Sequence, residues 1–281
     1  MASLDETVAS LSPKKIISSK ITGQEYEVRI YLPNSYSNHL GQNYPVVYVM
    51  DGNLFGEMVA GIVRVMAFSP MVPEVIVTSV GYPLLLNSEG FKKFITLRAL
   101  EFTPSPDPEF EEEHQKWLGI EDFRTGNARL FLKFLLDELA PVIEAEYRAR
   151  PDDRTLLGHS ASGLFTLYAM FDQPEVFQRY IVGSPPLRYG NGLMFRIEGD
   201  YAAEHNALPA RLFLGIGSEE ELLQPKLDAM VSVSAFYQFS AILKSRNHEG
   251  LHFEKKVFEG FDHLSVPAAL FSAGLRSVYS G

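Results

Sequence analysis

Alternating apolar and polar positions mark the beginning of the chain. The segments from Lys15 to Thr22 and from Tyr26 to Leu32 both alternate in this way, and Gly23 lies between them. A period of two is typical of strands that have one buried and one solvated face, and the glycine favours a turn. The pattern therefore predicts an N-terminal antiparallel hairpin.

Later apolar runs are nearly continuous instead of alternating. They are Val46 to Met50, Val75 to Val80, Thr155 to Ser160, Tyr180 to Ser184 and Arg211 to Gly217. Continuous short runs suit strands that are covered on both faces, as in a parallel sheet. A last strand is predicted from His252 to Phe258.

Helical periodicity fills the intervals between these runs. The predicted helices are Leu54 to Met66, Ala128 to Tyr147, Leu164 to Phe171, Leu222 to Ser245 and a final one from about Ser265 onward. Strands that alternate with helices indicate βαβ crossovers, so we expect a single α/β domain over residues 1–281 with a doubly wound, mostly parallel sheet. Pro141 predicts a kink or a joint in the second helix because proline has no N–H to donate.

Two segments, at about residues 81–125 and 185–209, interrupt this alternation and are long for plain connections. The first is Pro-rich and acidic and contains the sole tryptophan, Trp117. We expect both segments to be lids or caps over one end of the sheet, where the sites of α/β folds gather.

Composition and charge narrow the class of protein. The chain has 281 residues, of which 46% are hydrophobic and 21% charged, as in globular proteins. Its net charge of −10 argues against nucleic acid or an anionic membrane as a partner. The lack of cysteine excludes disulfides and cysteine nucleophiles. No signal-peptide pattern and no apolar stretch of about 18 residues are present, so we expect a cytoplasmic protein.

The clearest chemical motif lies at a predicted strand-to-helix junction. A strand-like run ends at Gly158, His159 and Ser160, and a helix-like run begins at once. This is the context of a nucleophile elbow, in which small neighbours let a serine hydroxyl stand above the sheet. The pattern departs from G-x-S-x-G at its last position, where Ser162 stands and Gly163 follows. We predict Ser160 to be a nucleophile; the alternative is a small-residue turn without chemistry.

A serine nucleophile needs a base, and elbow enzymes place the acid and then the histidine after the serine. His263 lies between the last strand and the last helix, where this fold class has its base. The acid is expected after the strand that ends at Gly217, where Glu219, Glu220 and Glu221 follow. We choose Glu220, with Glu219 second, while a charged helix start would account for all three.

An oxyanion hole is expected from two backbone N–H groups. After the strand from Val46 to Met50 the chain reads Asp51-Gly52-Asn53, and the glycine lets it bend so that the N–H of Asn53 faces Ser160. Ala161, directly after the serine, supplies the second donor.

The sequence gives little support for a metal or nucleotide site. His248 to His252 reads HEGLH, but a glycine lies inside this zinc pattern and the segment passes from helix to strand, so the two histidines should flank a turn. Glycine-rich phosphate loops do not occur in the sequence. We therefore expect neither a metal nor a cofactor.

Taken together, these motifs resemble the α/β-hydrolase superfamily, and within it the esterase group of esterase D-like enzymes and ferric-siderophore trilactone esterases. The resemblance rests on Val46 to Phe55, Arg98 to Pro104, Phe131 to Pro151, the elbow from Leu156 to Met170, and Tyr180 to Leu187. It implies ester hydrolysis by Ser160 and His263, with Asn53 and Ala161 as the oxyanion hole. Some siderophore esterases work without a well-placed acid, which makes Glu220 optional.

The substrate is expected to be a small-molecule ester or lactone. Residues assigned to its binding are Gly52, Arg98, Trp117, Arg188 and Tyr189. For Arg98 an internal ion pair that ties down the long insertion is the favoured alternative. An acyltransferase using the same acyl-enzyme, or a catalytically silent binding protein, would show the same motifs, and the sequence leaves the oligomeric state open.

Overall fold

The described residues form one mostly parallel sheet. The computed structural model describes residues 14–68, 71–221 and 231–280. Its strands are β1 Lys15–Ser18, β2 Glu25–Tyr31, β3 Tyr44–Val49, β4 Ile76–Gly81, β5 Ala149–His159, β6 Arg179–Gly183, β7 Arg211–Gly217 and β8 His252–Phe258. The order across the eight-stranded sheet is β1-β2-β4-β3-β5-β6-β7-β8. The pairs β1/β2 and β2/β4 are antiparallel and all others parallel, which confirms the predicted hairpin and sheet.

Helices connect the parallel strands. They are α1 Gly52–Met66, α2 Ser88–Phe102, α3 Pro108–Leu118, α4 Ala128–Phe134, α5 Ala140–Glu146, α6 Ala161–Asp172, α7 Tyr189–Glu204, α8 Val233–Arg246 and α9 Pro267–Tyr279. The helix predicted from Leu222 begins only at Val233, because the Ser232 hydroxyl accepts the N–H of Ala235 at 3.2 Å and caps α8. Residues 222–230 of that prediction lie outside the described residues. None of the described helices has the length and apolarity to cross a membrane.

Both long insertions contain helices that the sequence did not predict. The first holds α2 and α3, and the second holds α7. In α2 the buried positions include Phe94, Leu97 and Phe102, but a glutamate, Glu101, is buried among them. A charged residue at a core position breaks the apolar period, so the pattern gave no helix signal. The role of these insertions as lids or caps stays a prediction.

The joint expected at Pro141 is present. A π-helical turn, Leu135–Leu139, separates α4 from α5, and Pro141 lies in the first turn of α5. Proline has no N–H for the carbonyl four residues earlier, which lies in that π turn, so the α-helical ladder is interrupted there.

The sheet separates two apolar cores. Within β3, Val46 and Tyr48 pack in one core, whereas Val47 and Val49 pack in the other. Helices α4 and α6 cover the first face, and α1 and α9 cover the second. Every residue of β3 is buried for this reason, which is why its sequence is continuously apolar.

Candidate active site

Ser160 occupies a strained turn between β5 and α6. Its backbone has φ 62° and ψ −128°, a conformation that non-glycine residues rarely adopt. A Cβ at Gly158 would overlap the carbonyl oxygen of Ser162, and one at Gly163 would overlap the carbonyl oxygen of Gly183. The small residues required by the elbow are therefore Gly158 and Gly163, and position 162 has room for a serine.

His263 and Glu220 form the predicted acid–base pair. The Nδ1 atom of His263 lies 2.7 Å from Oε2 of Glu220, which is 2% exposed. Oε1 of Glu220 accepts the Ser184 hydroxyl and the N–H of Gly217, both at 2.6 Å. An ionised carboxylate only accepts, so it holds the proton of His263 on Nδ1 and leaves Nε2 as the basic nitrogen.

The loop that carries His263 is fixed by its own side chains. Oδ1 of Asp262 accepts the N–H of Leu264 at 3.1 Å and that of Ser265 at 2.8 Å. The Ser265 hydroxyl donates to the same oxygen at 2.7 Å. These bonds hold the pKa of Asp262 below its usual range, with the Ser265 hydroxyl as the largest cause. The turn sets the backbone from which the imidazole projects.

The other two glutamates lie elsewhere. Glu219 donates its backbone N–H to the carbonyl of Phe261 at 3.0 Å. Oε1 of Glu221 accepts the hydroxyls of Ser234 at 2.7 Å and Ser232 at 2.8 Å, and these bonds lower the pKa of Glu221. The structure thus brings Glu220 to His263 and gives the carboxylate of Glu221 different partners.

The two expected oxyanion donors belong to the first turns of helices. Asn53 is in the first turn of α1 and Ala161 is the first residue of α6. N–H groups in a first turn have no acceptor within their own helix, and they lie at its positive end. The Asn53 side chain is held by Tyr82, donating to its carbonyl at 2.8 Å and accepting its N–H at 2.7 Å. This clamp fixes the backbone of Asn53.

A buried carboxylate that the sequence reasoning missed lies beneath these turns. Asp51, fully buried and with φ 54°, accepts two bonds from Arg98 at 2.6 and 2.9 Å and one from the Ser162 hydroxyl at 2.7 Å. Ser184, which holds Glu220, was also missed as a site residue. Ser184 directly follows β6 and Asp51 lies two residues after β3, and a polar residue at the carboxyl end of a buried strand is the signal that would have found them.

His159 lies between the elbow and the loop of the base. Its ring is buried, with Nε2 2.9 Å from the carbonyl oxygen of His263. The two imidazole rings lie 4.6 Å apart. Burial, followed by the nearby His263, lowers the pKa of His159 well below its usual value. His159 is therefore neutral and donates from Nε2, since a carbonyl only accepts.

The predicted substrate residues have different partners in the structure. Arg98 is paired with Asp51, and the buried Tyr189 donates its hydroxyl to the carbonyl of Ser105 at 2.7 Å. Arg188 is 3.1 Å from the Ser234 hydroxyl. Trp117 is 51% exposed on α3. None of these contacts joins Arg98, Tyr189 or Arg188 to Ser160, Glu220 or His263.

Gly52 is different, because it borders a cavity beside the oxyanion turn. The cavity has a volume of about 260 Å³ and is lined by Gly52, Asn53 and the exposed leucines Leu54, Leu85 and Leu86, among others. A larger groove of about 1210 Å³ lies between β8 and α9, and neither cavity is lined by Ser160, Glu220 or His263. Of these two cavities, only the smaller one is lined by an expected oxyanion residue, Asn53.

The zinc-like motif does not form one helical face. His248 lies between α8 and β8, and His252 is the first residue of β8. Gly250, between them, has φ 80°. As predicted, the two histidines flank a turn. Among the described residues, no cluster of histidine and acidic side chains could hold a metal ion.

Known proteins are similar to this chain in sequence and in fold. The family described as "Putative esterase" matches residues 19–80 and 109–271. The chain is 28% identical over 270 residues to the ferri-bacillibactin esterase BesA of Bacillus subtilis, covering 93% of this chain and 87% of that protein. It is 26% identical over 255 residues to the siderophore triacetylfusarinine C esterase of Aspergillus fumigatus, covering 84% and 81%. The crystal structure of the BES protein from Bacillus cereus is 28% identical, with a TM-score of 0.77 and 98% of each chain covered.

Proposed function

Because this chain belongs to the esterase family of α/β hydrolases and is a carboxylic ester hydrolase, we propose that it works through an acyl-enzyme on Ser160. The observation that carries the proposal is the bond between His263 and the buried Glu220, on the same edge of the sheet as the strained Ser160 turn. A base that is oriented by an acid near a strained serine is the arrangement that activates a hydroxyl nucleophile.

The first half of the reaction forms the acyl-enzyme. Nε2 of His263 takes the proton of Ser160 while Oγ bonds to the ester carbonyl carbon. The carbonyl oxygen becomes an oxyanion, which the N–H groups of Asn53 and Ala161 stabilise. The bond to the alcohol oxygen then breaks, and the leaving alcohol takes the proton from His263.

The second half regenerates the enzyme. Water gives a proton to Nε2 of His263 and bonds to the acyl carbon, and the same two N–H groups hold the second oxyanion. When the bond to Oγ breaks, Ser160 regains its proton and the carboxylic acid leaves. Throughout, Glu220 keeps the imidazole in one tautomer and stabilises its charged form.

We further propose that the substrate is a small-molecule siderophore ester or lactone. One relative is named a siderophore triacetylfusarinine C esterase and another a ferri-bacillibactin esterase, and they match 84% and 93% of this chain. The cavity beside Gly52 and Asn53, which is lined by charged side chains such as Arg29 and Glu57 as well as by leucines, would accommodate part of such a molecule next to the N–H of Asn53.

Hydrolysis by site variants tests the proposal. With a siderophore lactone and a simple aryl ester as substrates, Ser160→Ala should lower kcat by about 10⁴-fold or more. The matched control is Ser245→Ala, which removes an exposed hydroxyl of α8. Product analysis with added alcohols separates hydrolysis from acyl transfer. An undiminished rate in Ser160→Ala would contradict the acyl-enzyme, and turnover of the aryl ester alone would contradict the substrate class.

A further inference from the structure

A fully buried carboxylate joins the two turns that carry the oxyanion donors. Asp51 follows β3 and lies two residues before Asn53, while Ser162 directly follows Ala161. Both side chains have zero exposure, and the Ser162 hydroxyl is 2.7 Å from Oδ2 of Asp51. This bond connects segments that are 111 residues apart in the sequence.

The Ser162 hydroxyl has one donor and two acceptors within hydrogen-bond distance. It accepts the N–H of His159 at 3.0 Å, and of the two acceptors for its own proton the Asp51 carboxylate, at 2.7 Å, is closer than the carbonyl of His159, at 2.9 Å, and carries the charge that favours it. The hydroxyl thus holds the last residue of β5 on one side and the Asp51 turn on the other. A glycine at position 162 would supply neither bond.

The carboxylate is fixed as well, by a cation from the first insertion. Arg98 of α2 donates from Nε and Nη2 to the two oxygens of Asp51, at 2.6 and 2.9 Å. Its guanidinium lies 5.2 Å from the ring of Phe94 and 6.0 Å from that of Phe102. A bidentate pair of this kind fixes the plane of the carboxylate. Asp51 therefore presents Oδ2 to Ser162 in one orientation.

We propose that Asp51 and Ser162 are positioning residues that set the separation of the Asn53 and Ala161 N–H groups. The proposal rests on the proposed function. Oxyanion donors act only within a narrow distance of the developing charge, and a misplacement of about 1 Å costs up to about 100-fold in rate. In this chain the serine in place of the elbow's last glycine supplies a link between the two donors that a glycine cannot.

The test compares Ser162→Ala with a matched control, Ser240→Ala. Ser240 is a buried serine of α8 whose hydroxyl has no hydrogen-bond partner among the described residues, so its removal leaves the network intact. Turnover is measured on an aryl ester and on the corresponding thionoester. Sulfur is a weak hydrogen-bond acceptor, so the thionoester depends less on the oxyanion donors.

The expected result is a loss of kcat on the ester of about 10- to 100-fold, with KM changed by less than about threefold. The ester-to-thionoester ratio of kcat should fall by about tenfold, because the donors are displaced while the base is intact. Ser162→Gly should behave alike, and it serves as the second variant if the alanine protein does not fold. Ser240→Ala should retain both rates and their ratio.

Two results would overturn the proposal. One is a folded Ser162 variant whose kcat stays within about twofold of the parent value. The other is an equal loss on both substrates, which would show that the hydroxyl acts on the fold or the base and not on the oxyanion donors. Full activity of Ser160→Ala in the same assay would instead defeat the proposed function.

Discussion

Three non-glycine residues with positive φ lie at the carboxyl edge of the sheet. Ser160 and Ser184 directly follow β5 and β6, and Asp51 lies two residues after the end of β3; their φ values are 62°, 43° and 54°. Such backbone conformations are costly for non-glycine residues and persist where the surrounding structure imposes them. Each of the three places a polar side chain at this edge. Ser160 is the candidate nucleophile, Asp51 is paired with the Arg98 cation, and Ser184 donates to the Glu220 carboxylate.

The position of the acid can be tested at the level of one residue. Replacing Glu220 with glutamine should lower kcat by about 10²- to 10⁴-fold, because the amide no longer holds the proton of His263 on Nδ1. The comparison is Glu219→Gln, whose carboxylate is not bonded to His263. Steady-state hydrolysis of an aryl ester measures both. Equal losses in the two variants would contradict the assignment of Glu220.

Two elements meet closely where α6 leaves the elbow and crosses β6. A Cβ at Gly163 would overlap the carbonyl oxygen of Gly183, so this contact requires a glycine. The glycine is required one residue later than in the G-x-S-x-G pattern, so position 162 can hold a serine. The helix can therefore carry an extra hydroxyl into the site without loss of packing.

Gly163→Ala should destabilise the protein by about 1–3 kcal/mol, because backbone must move to admit the methyl group. Gly199→Ala in α7 is the control, since its added Cβ would meet nothing within 4 Å and alanine favours helix. Urea unfolding followed by circular dichroism measures both. A Gly163→Ala protein as stable as the parent would show that the crossing is looser than described.

A buried glutamate links α2 to the antiparallel part of the sheet. Glu101, 1% exposed, accepts the hydroxyls of Tyr26 at 2.5 Å and Tyr82 at 2.7 Å. Burial raises its pKa from 4.5 to about 7, although both hydroxyls oppose the change. The folded protein therefore binds this proton more tightly than the unfolded chain does. The contribution of this carboxyl group to the free energy of unfolding is complete below pH 4.5 and declines as the pH rises to 7.

Glu101→Gln should remove this part of the pH dependence of the free energy of unfolding. The change amounts to about 3 kcal/mol between the pKa of Glu101 in the unfolded chain and its pKa in the folded protein. Denaturant unfolding of parent and variant from pH 5 to 8 measures the difference. Glu89→Gln, an exposed glutamate of the same helix, is the control. If the stability of Glu101→Gln followed the parent across this range, the carboxyl would not be the titrating group.

At the scale of the whole molecule, the insertions should unfold together with the sheet. Trp117, the sole tryptophan, lies on α3 within the first insertion. Neighbouring α2 contributes Phe94 and Phe102 to the main core. We therefore predict that Trp117 fluorescence and far-ultraviolet circular dichroism report one transition in urea. An earlier fluorescence transition, absent in Trp117→Phe, would show that the insertion unfolds as a separate unit.

The sequence predicted most of the sheet because its strands are either alternating or continuously apolar. It missed α2 because Glu101 occupies a core position, and it missed Asp51 because a single buried aspartate after a strand has no motif of its own. The sequence limited the acid only to three adjacent glutamates, because the choice among them depends on the turn that brings Glu220 to His263. Contacts between segments distant in the chain, such as Asp51 with Ser162, leave no local pattern.

Covalent labelling shows whether Ser160 is an activated nucleophile. The protein and its Ser160→Ala variant are incubated with a fluorophosphonate and compared by intact-mass spectrometry. We predict one adduct on the parent protein and none on the variant. An adduct that persists in folded Ser160→Ala, or its absence from the folded parent protein, would contradict a nucleophilic role for Ser160.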